Sequence, residues 1–208
     1  MPRLSRAFFS RYTPDVARAL LGCIIVRAFD DVTLKARIVE VDAYRGSEDP
    51  ASHSYKGLTK RTSVLFGEAG HAYVYFIYGN HYCLNFTTEA KGVQGGVLIR
   101  AAEPLRGLEE MRRRRGVEEL TNLMSGPGKL TKAMGIDLNL NGEDVTVSRK
   151  LYLLGGAIPG KMAVSTRIGV SAGGEREWRF YVEDSPFVSG ARMHNYRIRA
   201  AARRGVVG

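Results

Sequence analysis

Two carboxylates and a phenol stand at alternate positions in the segment "RIVEVDAY", residues 37–44. Side chains alternate between the two faces of a β-strand, so this β-rich run predicts one face with Ile38, Glu40, Asp42 and Tyr44 and another with Val39, Val41 and Ala43. A single arginine, Arg100, lies among apolar residues in "GGVLIRAAEP". A carboxylate beside an arginine can activate a water molecule, and the sequence has no metal-ligand spacing and no Ser-His or Cys-His nucleophile spacing that would favour other chemistry.

A second group of chemically useful side chains lies in "YVYFIYGNHYCLN", residues 73–85, where four tyrosines and a phenylalanine surround a Gly-Asn pair. The chain carries 31 Lys and Arg against 21 Asp and Glu, a formal charge of +10. That balance favours a polyanionic partner, nucleic acid before an anionic membrane, although a merely solvated surface would also account for it. Stacking rings with basic charge suit the handling of nucleobases, so the residues favour hydrolysis of a base from its sugar.

The position of the turn in residues 73–85 can be predicted from its side chains. A three-residue loop, Gly79 to His81, would pair Tyr78 with Tyr82 and Tyr75 with Asn85. It gathers one apolar face, consisting of Val74, Phe76, Tyr78, Tyr82, Leu84 and Phe86. A two-residue Gly-Asn turn would slip one strand by one residue and mix the faces, so we expect the longer loop.

The elements that must position these side chains alternate between strands and short helices. Residues 13–22 predict a helix with Thr13 as N-cap and Pro14 at its first position. The runs "CIIVRAF" and "TLKARIVEVDAY" predict a hairpin. Residues 45–71 predict a long loop or loop-rich segment, and loops of this length are usually functional or disordered. The fold class expected is α+β, a single mixed domain with an antiparallel β core that carries a protruding β-hairpin and is surrounded by short helices.

Two basic segments are candidates for contact with a phosphate backbone. A helix in "PLRGLEEMRRRRG", with Pro104 near its start and Gly116 at its stop, carries Arg112 and Arg113 in its last turn, where ordinary capping of the helix is an equally good explanation. The segment "SGPGKLTKAMG" predicts a Gly-rich entry to a helix, with Ser125 as a candidate N-cap and Lys129 close by. Free backbone N–H groups beside a lysine could seat a phosphate.

Composition limits the remaining possibilities. A chain of 208 residues with 44% hydrophobic residues fits one globular domain. It has no apolar run near 18 residues, and its start is too broken by charge to be a signal peptide, so we expect a cytoplasmic or nucleoid protein. Two cysteines, Cys23 and Cys83, are too few for a disulfide framework and are expected to be buried thiols.

Six ordered blocks of the sequence resemble the alkyladenine (3-methyladenine) DNA glycosylase family, from about residue 3 to about residue 190. They are "ARALLG", "RIVEVDAYRGSEDPASHS", "GHAYVYFIYGNHYCLNF", "VLIRAAEPLRGLEEMRRRR", "LMSGPGKLTKAMGI" and "STRIGV" followed by "RFYVEDSPFVS". The resemblance implies a monofunctional base excision repair enzyme that flips alkylated or deaminated purines out of duplex DNA and needs no metal or cofactor. Length and composition predict one domain over residues 1–208, and the basic segment 191–208 could be a mobile tail.

The expected partner is double-stranded DNA containing damaged purines, with no membrane association, and we expect a monomer. We expect the protein in the cytoplasm, associated with the nucleoid, if the source is prokaryotic, and in the nucleus if it is eukaryotic.

The resemblance also implies roles for the aromatic residues. Tyr78 falls at the position of a tyrosine wedge that enters the minor groove and fills the gap left by the flipped nucleotide. Tyr44, His53 and Tyr75 match the positions that sandwich and contact the extruded base. Asn85 matches the side chain that discriminates against guanine by crowding its exocyclic amine.

The catalytic positions match with one departure. Arg100 and a strand carboxylate correspond to the pair that holds and deprotonates the attacking water, with the main-chain carbonyl of Val170 as a further water ligand. Where the family has Glu in "E-A-Y", this chain has Asp42 in "VDAY", an arm shorter by one methylene. A misplacement of ~1 Å at a catalytic group can cost ~10²-fold in rate. Glu40 is the nearest other carboxylate, roughly 6.5 Å along the strand, and Asp42 is the expected base.

Two other interpretations follow from the same residues. The chain could be a catalytically weakened damaged-DNA binding protein on this fold, with Asp42 as the trace of lost activity. It could also be an unrelated nucleoside hydrolase, which would act on free nucleosides with little dependence on salt. Arg100 could then serve only as a structural ion-pair partner of Asp42 or Glu40.

Overall fold

The computed structural model describes residues 1–190, which contain eight strands and four α-helices. The strands are β1 (Ile24–Ala28), β2 (Thr33–Arg45), β3 (Ala72–Ile77), β4 (His81–Thr87), β5 (Gly95–Arg106), β6 (Leu151–Leu154), β7 (Met162–Ser165) and β8 (Arg179–Val182). The helices are α1 (Arg6–Phe9), α2 (Thr13–Leu20), α3 (Leu108–Arg115) and α4 (Pro127–Met134). The predicted α+β fold is confirmed. The predicted basic tail, residues 191–208, lies outside the described residues.

All strand pairs in the sheet are antiparallel, and β2 is its centre. The sheet runs β3-β4-β5-β2-β1-β6. Strand β5 follows one edge of β2, whereas the other edge is shared, first by β1 and then, at residues 40–42, by β8. Strand β7 pairs with β8. Three neighbours therefore meet the 13-residue strand β2, and two of them meet it beside the predicted catalytic carboxylates.

A β-bulge in β2 corrects the predicted alternation of faces. Ile38 pairs with Ala102 and Glu40 with Ala101, so Val39 has no partner on β5. The side chain of Ile38 belongs to the main hydrophobic core, together with those of Val41 and Ala43, whereas Val39 packs in a separate small cluster. The predicted faces of Ile38 and Val39 were therefore wrong, because one extra residue reverses the parity of the strand before it.

The β3–β4 hairpin has a loop of the predicted length in a different place. The strands pair Ile77 with His81, so the loop consists of residues 78–80 rather than residues 79–81. Tyr75 therefore lies opposite Cys83, and the predicted pairing of Tyr75 with Asn85 was wrong. The predicted sharing of faces by the paired residues is still correct, because registers that differ by two residues keep the same faces. An apolar pattern alone cannot distinguish such registers.

Three predicted helix boundaries also need correction. Tyr12 is the N-cap of α2, and Thr13 is its first residue, whose N–H and hydroxyl both donate to Glu89 Oε1 at 2.7 and 2.8 Å. Pro104 lies inside β5 rather than at the start of α3, which begins after Gly107. Gly126, not Ser125, precedes α4 as its N-cap. The predicted stop of α3 at Gly116, in the left-handed region at φ 65°, is confirmed.

The hydrophobic core lies between the sheet and α2, α3 and α4. Its largest fully buried side chains include Phe9, Leu20, Phe86, Ile99, Met111 and Phe180. Within residues 1–190, no helix has the length and apolar character needed to cross a lipid bilayer.

The turn at Gly22 provides a test of this packing. Gly22 has a φ of +85°, and a Cβ there would lie 2.4 Å from the backbone of Ala157. A Gly22→Ala variant should lose more than the ~1–2 kcal/mol that a left-handed conformation costs, because the backbone of a neighbouring segment must also move. Gly142→Ala is the control, since its φ is +86° but nothing lies within 4 Å of its Cβ. Equal losses of unfolding free energy in urea titrations would contradict the predicted clash.

Candidate active site

A cavity of about 220 Å³ opens where the sheet meets two loops. One wall comes from residues 50–54 and another from residues 169–171, and the backbone of Gly95 and Gly96 forms part of the lining. Five of the predicted site residues line it together, namely Tyr44, His53, Tyr75, Asn85 and Val170. The structure thus brings together residues that are up to 126 positions apart in the sequence.

The aromatic wall of the cavity is a contiguous group of rings. The centroids of His53 and Tyr75 are 4.6 Å apart with an edge-on geometry, and those of Tyr73 and Tyr75 are 5.4 Å apart. His53 Nδ1 lies 3.1 Å from the Tyr73 hydroxyl. Burial, with a contribution from the charge of Arg61, lowers the pKa of His53 to about 4. The imidazole is therefore neutral at physiological pH, and the wall presents uncharged flat surfaces that suit a planar heterocycle.

The amide of Asn85 is fixed beside this wall. Its Nδ2 donates to the backbone carbonyl of Tyr73 at 3.1 Å, and the residue is buried. Burial raises the pKa of the Tyr75 phenol, with Cys83 adding to the rise, so Tyr75 stays protonated. The polar groups around the cavity therefore keep single protonation states near neutral pH.

Asp42 lies directly behind Tyr44 and is completely buried. Arg100 Nη1 donates to Asp42 Oδ2 at 2.9 Å, and the Tyr44 hydroxyl lies 3.4 Å from the same oxygen. Asp42 Oδ1 accepts no hydrogen bond from the described residues. Burial raises the pKa of Asp42 to about 6, while Arg100 opposes the rise and Glu40 adds to it. A carboxylate with one free oxygen and a pKa close to neutrality has the properties of a general base.

Glu40, the second carboxylate, is also completely buried but lies outside the cavity lining. Its Oε1 accepts from Arg100 Nε at 3.3 Å, Arg179 Nε at 2.7 Å and Ser189 Oγ at 2.8 Å. Its Oε2 accepts from the Ser189 backbone N–H at 2.6 Å. Four donors thus converge on Glu40, whereas Asp42 keeps a free oxygen.

A buried ion pair joins the two loops that wall the cavity. Arg167 Nη1 and Nη2 donate to the two oxygens of Asp49 at 2.6 and 2.8 Å, and both side chains are fully buried. The same guanidinium donates to the carbonyls of Ala43 and Gly173 and lies over the Tyr44 ring, 4.7 Å from its centroid. This ion pair between Asp49 and Arg167, called the clasp below, fixes the loop of Val170 against the loop of His53.

Tyr78, the predicted wedge, is at the tip of the β3–β4 hairpin, with 82% of its surface exposed. Its φ of 55° places a non-glycine residue in the left-handed region, and Gly79 follows at φ 73°. The ring therefore projects away from the core into solvent. Such strain at an exposed aromatic residue is common at functional positions.

The predicted backbone-contact residues lie on α3 and α4. Helix α4 is next to the hairpin, because the hydroxyl of Thr131 donates to the Tyr82 carbonyl at 2.9 Å. Lys129 Nζ donates to Asn122 Oδ1 at 2.7 Å. Arg112 pairs with Glu109 and Arg113 with Glu110, both on their own helix. These pairs fit the capping explanation as well as the phosphate-contact explanation, and the role of these residues stays a prediction.

Several residues around the site were missed by the sequence analysis. Arg61 lies over the Tyr75 ring, 5.1 Å from its centroid, and the clasp joins Asp49 and Arg167 across 118 positions. Arg179 and Ser189 hold Glu40 from the far end of the described chain. None of these pairs has a local spacing signal. Alternation along "WRFYV" could have placed Arg179 on one face of its strand but not opposite Glu40.

The described residues define the site as a neutral aromatic cavity backed by a buried carboxylate and an arginine. Within residues 1–190, no group of three or more His, Cys, Asp or Glu side chains is arranged to hold a metal ion. Such a site has the shape to hold a planar heterocycle near a carboxylate that can accept a proton.

Comparison with known proteins identifies the family. Residues 7–186 match the family described as methylpurine-DNA glycosylase (MPG). A protein of Carboxydothermus hydrogenoformans is 45% identical over 188 residues, which cover 89% of this chain and 98% of that relative. Proteins of Methanoculleus marisnigri and Methanocella arvoryzae are 46% and 48% identical, covering 89% and 91% of this chain and 98% and 96% of those relatives. All three are named provisionally as 3-methyladenine DNA glycosylases.

The chain belongs to the methylpurine-DNA glycosylase family. It is a DNA glycosylase for alkylated bases, an enzyme of base excision repair whose substrate is DNA.

The clasp between Asp49 and Arg167 yields a prediction about stability. Asp49→Asn removes the charge that compensates a fully buried guanidinium, so the free energy of unfolding should fall by about 3–5 kcal/mol. Glu118→Gln is the matched control, because the Glu118 side chain is 90% exposed and its pair with Arg112 should contribute less than about 1 kcal/mol. Urea unfolding curves measure both values. A loss at Asp49 no larger than that at Glu118 would show that the clasp does not stabilise the loops.

Proposed function

We propose that this enzyme flips alkylated or deaminated purines out of double-stranded DNA and hydrolyses the N-glycosidic bond with a water activated by Asp42. The product is an abasic site, and the reaction uses no metal or cofactor. The observation that carries the proposal is Asp42 itself, buried directly behind the aromatic cavity with Oδ2 held by Arg100 and Oδ1 free. In this proposal a water donates to Oδ1 and attacks the sugar of a base held in the cavity.

The chemistry needs little beyond this carboxylate. As the bond between C1′ and the base nitrogen breaks, its electron pair leaves with the base, and the sugar gains oxocarbenium character. The negative charge of Asp42 stabilises that character and accepts a proton from the attacking water. An alkylated purine that already carries positive charge is a good leaving group. Val170, which lines the cavity, offers in this proposal its main-chain carbonyl as a second water ligand.

The cavity supplies recognition of the base. In this proposal Tyr44 covers one face of the extruded base, and His53 and Tyr75 contact the other. The neutral imidazole of His53 avoids repulsion of a cationic base. Asn85, fixed by its bond to the Tyr73 carbonyl, crowds the exocyclic amine of guanine and so disfavours that base.

The hairpin and the basic helices supply the contacts with DNA. Tyr78 enters the minor groove and fills the space of the flipped nucleotide, which offsets a flipping cost of a few kcal/mol. Lys129, Arg112 and Arg113 contact phosphates of the duplex in this proposal. The protein acts as a monomer, in the cytoplasm on the nucleoid of a prokaryote or in the nucleus of a eukaryote.

The shorter arm of Asp42 favours a second candidate function, a damaged-DNA binding protein with weakened catalysis. Asp42 is fully buried and does not line the cavity, so the water must reach it past Tyr44. Tight binding of a lesion-bearing duplex without release of the base would support this candidate. Release of the base, followed by strand cleavage only after alkali, would support the glycosylase without lyase chemistry.

Replacement of Asp42 tests the proposed base. Asp42→Asn should lower the single-turnover excision rate at least about 100-fold, since the amide cannot accept the proton. In the parent enzyme, the rate should fall as the pH drops through about 6, because protonation of Asp42 removes the base. Excision from duplexes with hypoxanthine or ethenoadenine, measured from pH 5 to pH 8, gives both results. A near-parental rate for Asp42→Asn would rule out this carboxylate.

Replacement of Tyr78 tests the wedge. Tyr78→Ala should lower excision from duplex DNA roughly 10–100-fold and leave excision from single strands nearly unchanged, because only the duplex needs a group to fill the gap. Tyr78→Phe retains the ring and should behave like the parent. The thermal midpoint should not move in either variant, since the side chain is exposed. Equal losses on duplex and single-stranded substrates would argue for a different role.

A further inference from the structure

Glu40 and Asp42, the two buried carboxylates of β2, accept different numbers of hydrogen bonds. Glu40 accepts from four donors, whereas Asp42 accepts from Arg100 and the Tyr44 hydroxyl through one oxygen only. A carboxylate that is fully occupied by donors cannot also take a proton from water without losing them. Glu40 is therefore unsuited to be the base, although its sequence position alone would allow it.

Arg100 connects the two carboxylates. Its Nε faces Glu40 and its Nη1 faces Asp42, and 10% of its side chain is exposed. Ala101 pairs with Glu40 and Ile99 pairs with Val41, so Arg100 is left without a partner on β2. This irregularity aims the guanidinium between the two acids, as bulges near active sites often do.

We propose that Glu40 is a positioning residue, held by Arg179 and Ser189 so that it fixes the Arg100 guanidinium and thereby keeps Asp42 Oδ1 free for the water. Without Glu40, Arg100 would have a single carboxylate left and would engage both oxygens of Asp42. Asp42 Oδ1 would then accept a hydrogen bond from Arg100 and would not be available to the water. This inference rests on the proposed role of Asp42 as the base.

The charges around Asp42 give this arrangement a recognisable pH signature. Glu40 and Tyr44 face it from β2, Arg100 from β5, Arg179 from β8 and Arg167 from the loop after β7. Glu40 raises the pKa of Asp42, whereas Arg100 and Arg179 lower it. Removal of Glu40 should lower that pKa, both by deleting a like charge and by freeing Arg100 to pair with Asp42 alone. Removal of Arg179 should raise it.

Two variants with opposite expected shifts test the proposal. Glu40→Gln should lower the plateau of the single-turnover excision rate at least about tenfold and move its acidic limb to lower pH by roughly one unit. Arg179→Gln should move the limb to higher pH. Glu183→Gln, an exposed change of the same kind next to β8, should leave the profile unchanged. Thermal unfolding checks that each variant is folded.

The outcomes separate this inference from the proposed function. If the acidic limb stays in place in both folded variants, Glu40 and Arg179 are only structural and the inference is overturned. If Glu40→Gln does not fold, the Arg179→Gln profile decides alone, and an unshifted limb contradicts the proposal. If Asp42→Asn is as active as the parent, the proposed role of Asp42 as the base is contradicted, and the positioning role of Glu40 is contradicted with it. An inactive Asp42→Asn with a parental Glu40→Gln profile refutes the positioning role alone.

Discussion

The cost of burying charge is the constraint on which the catalytic half of this structure depends. Asp42, Glu40 and Arg100 are all buried, and an ion moved out of water without partners costs several kcal/mol. Each buried charge therefore needs an opposite charge within hydrogen-bonding distance. The bulge in β2, the matching irregularity at Arg100 and the approach of β8 all bring opposite charges into contact. The sheet departs from regular pairing at the point where these charges would otherwise be isolated.

The same constraint organises the cavity. The clasp of Asp49 and Arg167 holds its two loops together. Because Arg167 also lies over Tyr44, the clasp connects the cavity wall to the strand that carries Asp42. Recognition and catalysis thus share a scaffold of buried ion pairs. Such pairs favour a single arrangement of the loops, since each alternative arrangement leaves a charge uncompensated.

The sequence predicted the composition of the site better than its geometry. The family resemblance pointed to Tyr44, His53, Tyr75, Asn85 and Val170, and these five residues line one cavity. Alternation shows only which residues share a face of a strand. It therefore could not distinguish a Tyr75–Cys83 pair from a Tyr75–Asn85 pair, which have the same faces. It failed for Ile38 and Val39, because the bulge in β2 reverses the faces of the residues before it. The partners of Glu40 could not be predicted, because contacts across 139 and 149 positions leave no local pattern.

The separation in sequence between Glu40 and its partners Arg179 and Ser189 affects the order in which they are synthesised. Asp42 and Arg100 emerge from the ribosome while Arg179 and Ser189 are still untranslated. At about 5–20 residues per second, the 79 residues from position 101 to position 179 take roughly 4–16 s to make. During that interval Glu40 has only Arg100 to pair with. The nascent chain therefore carries its aromatic hairpin well before the charged partners of Glu40 are complete. Arg179, which completes them, lies on β8, the last strand among residues 1–190.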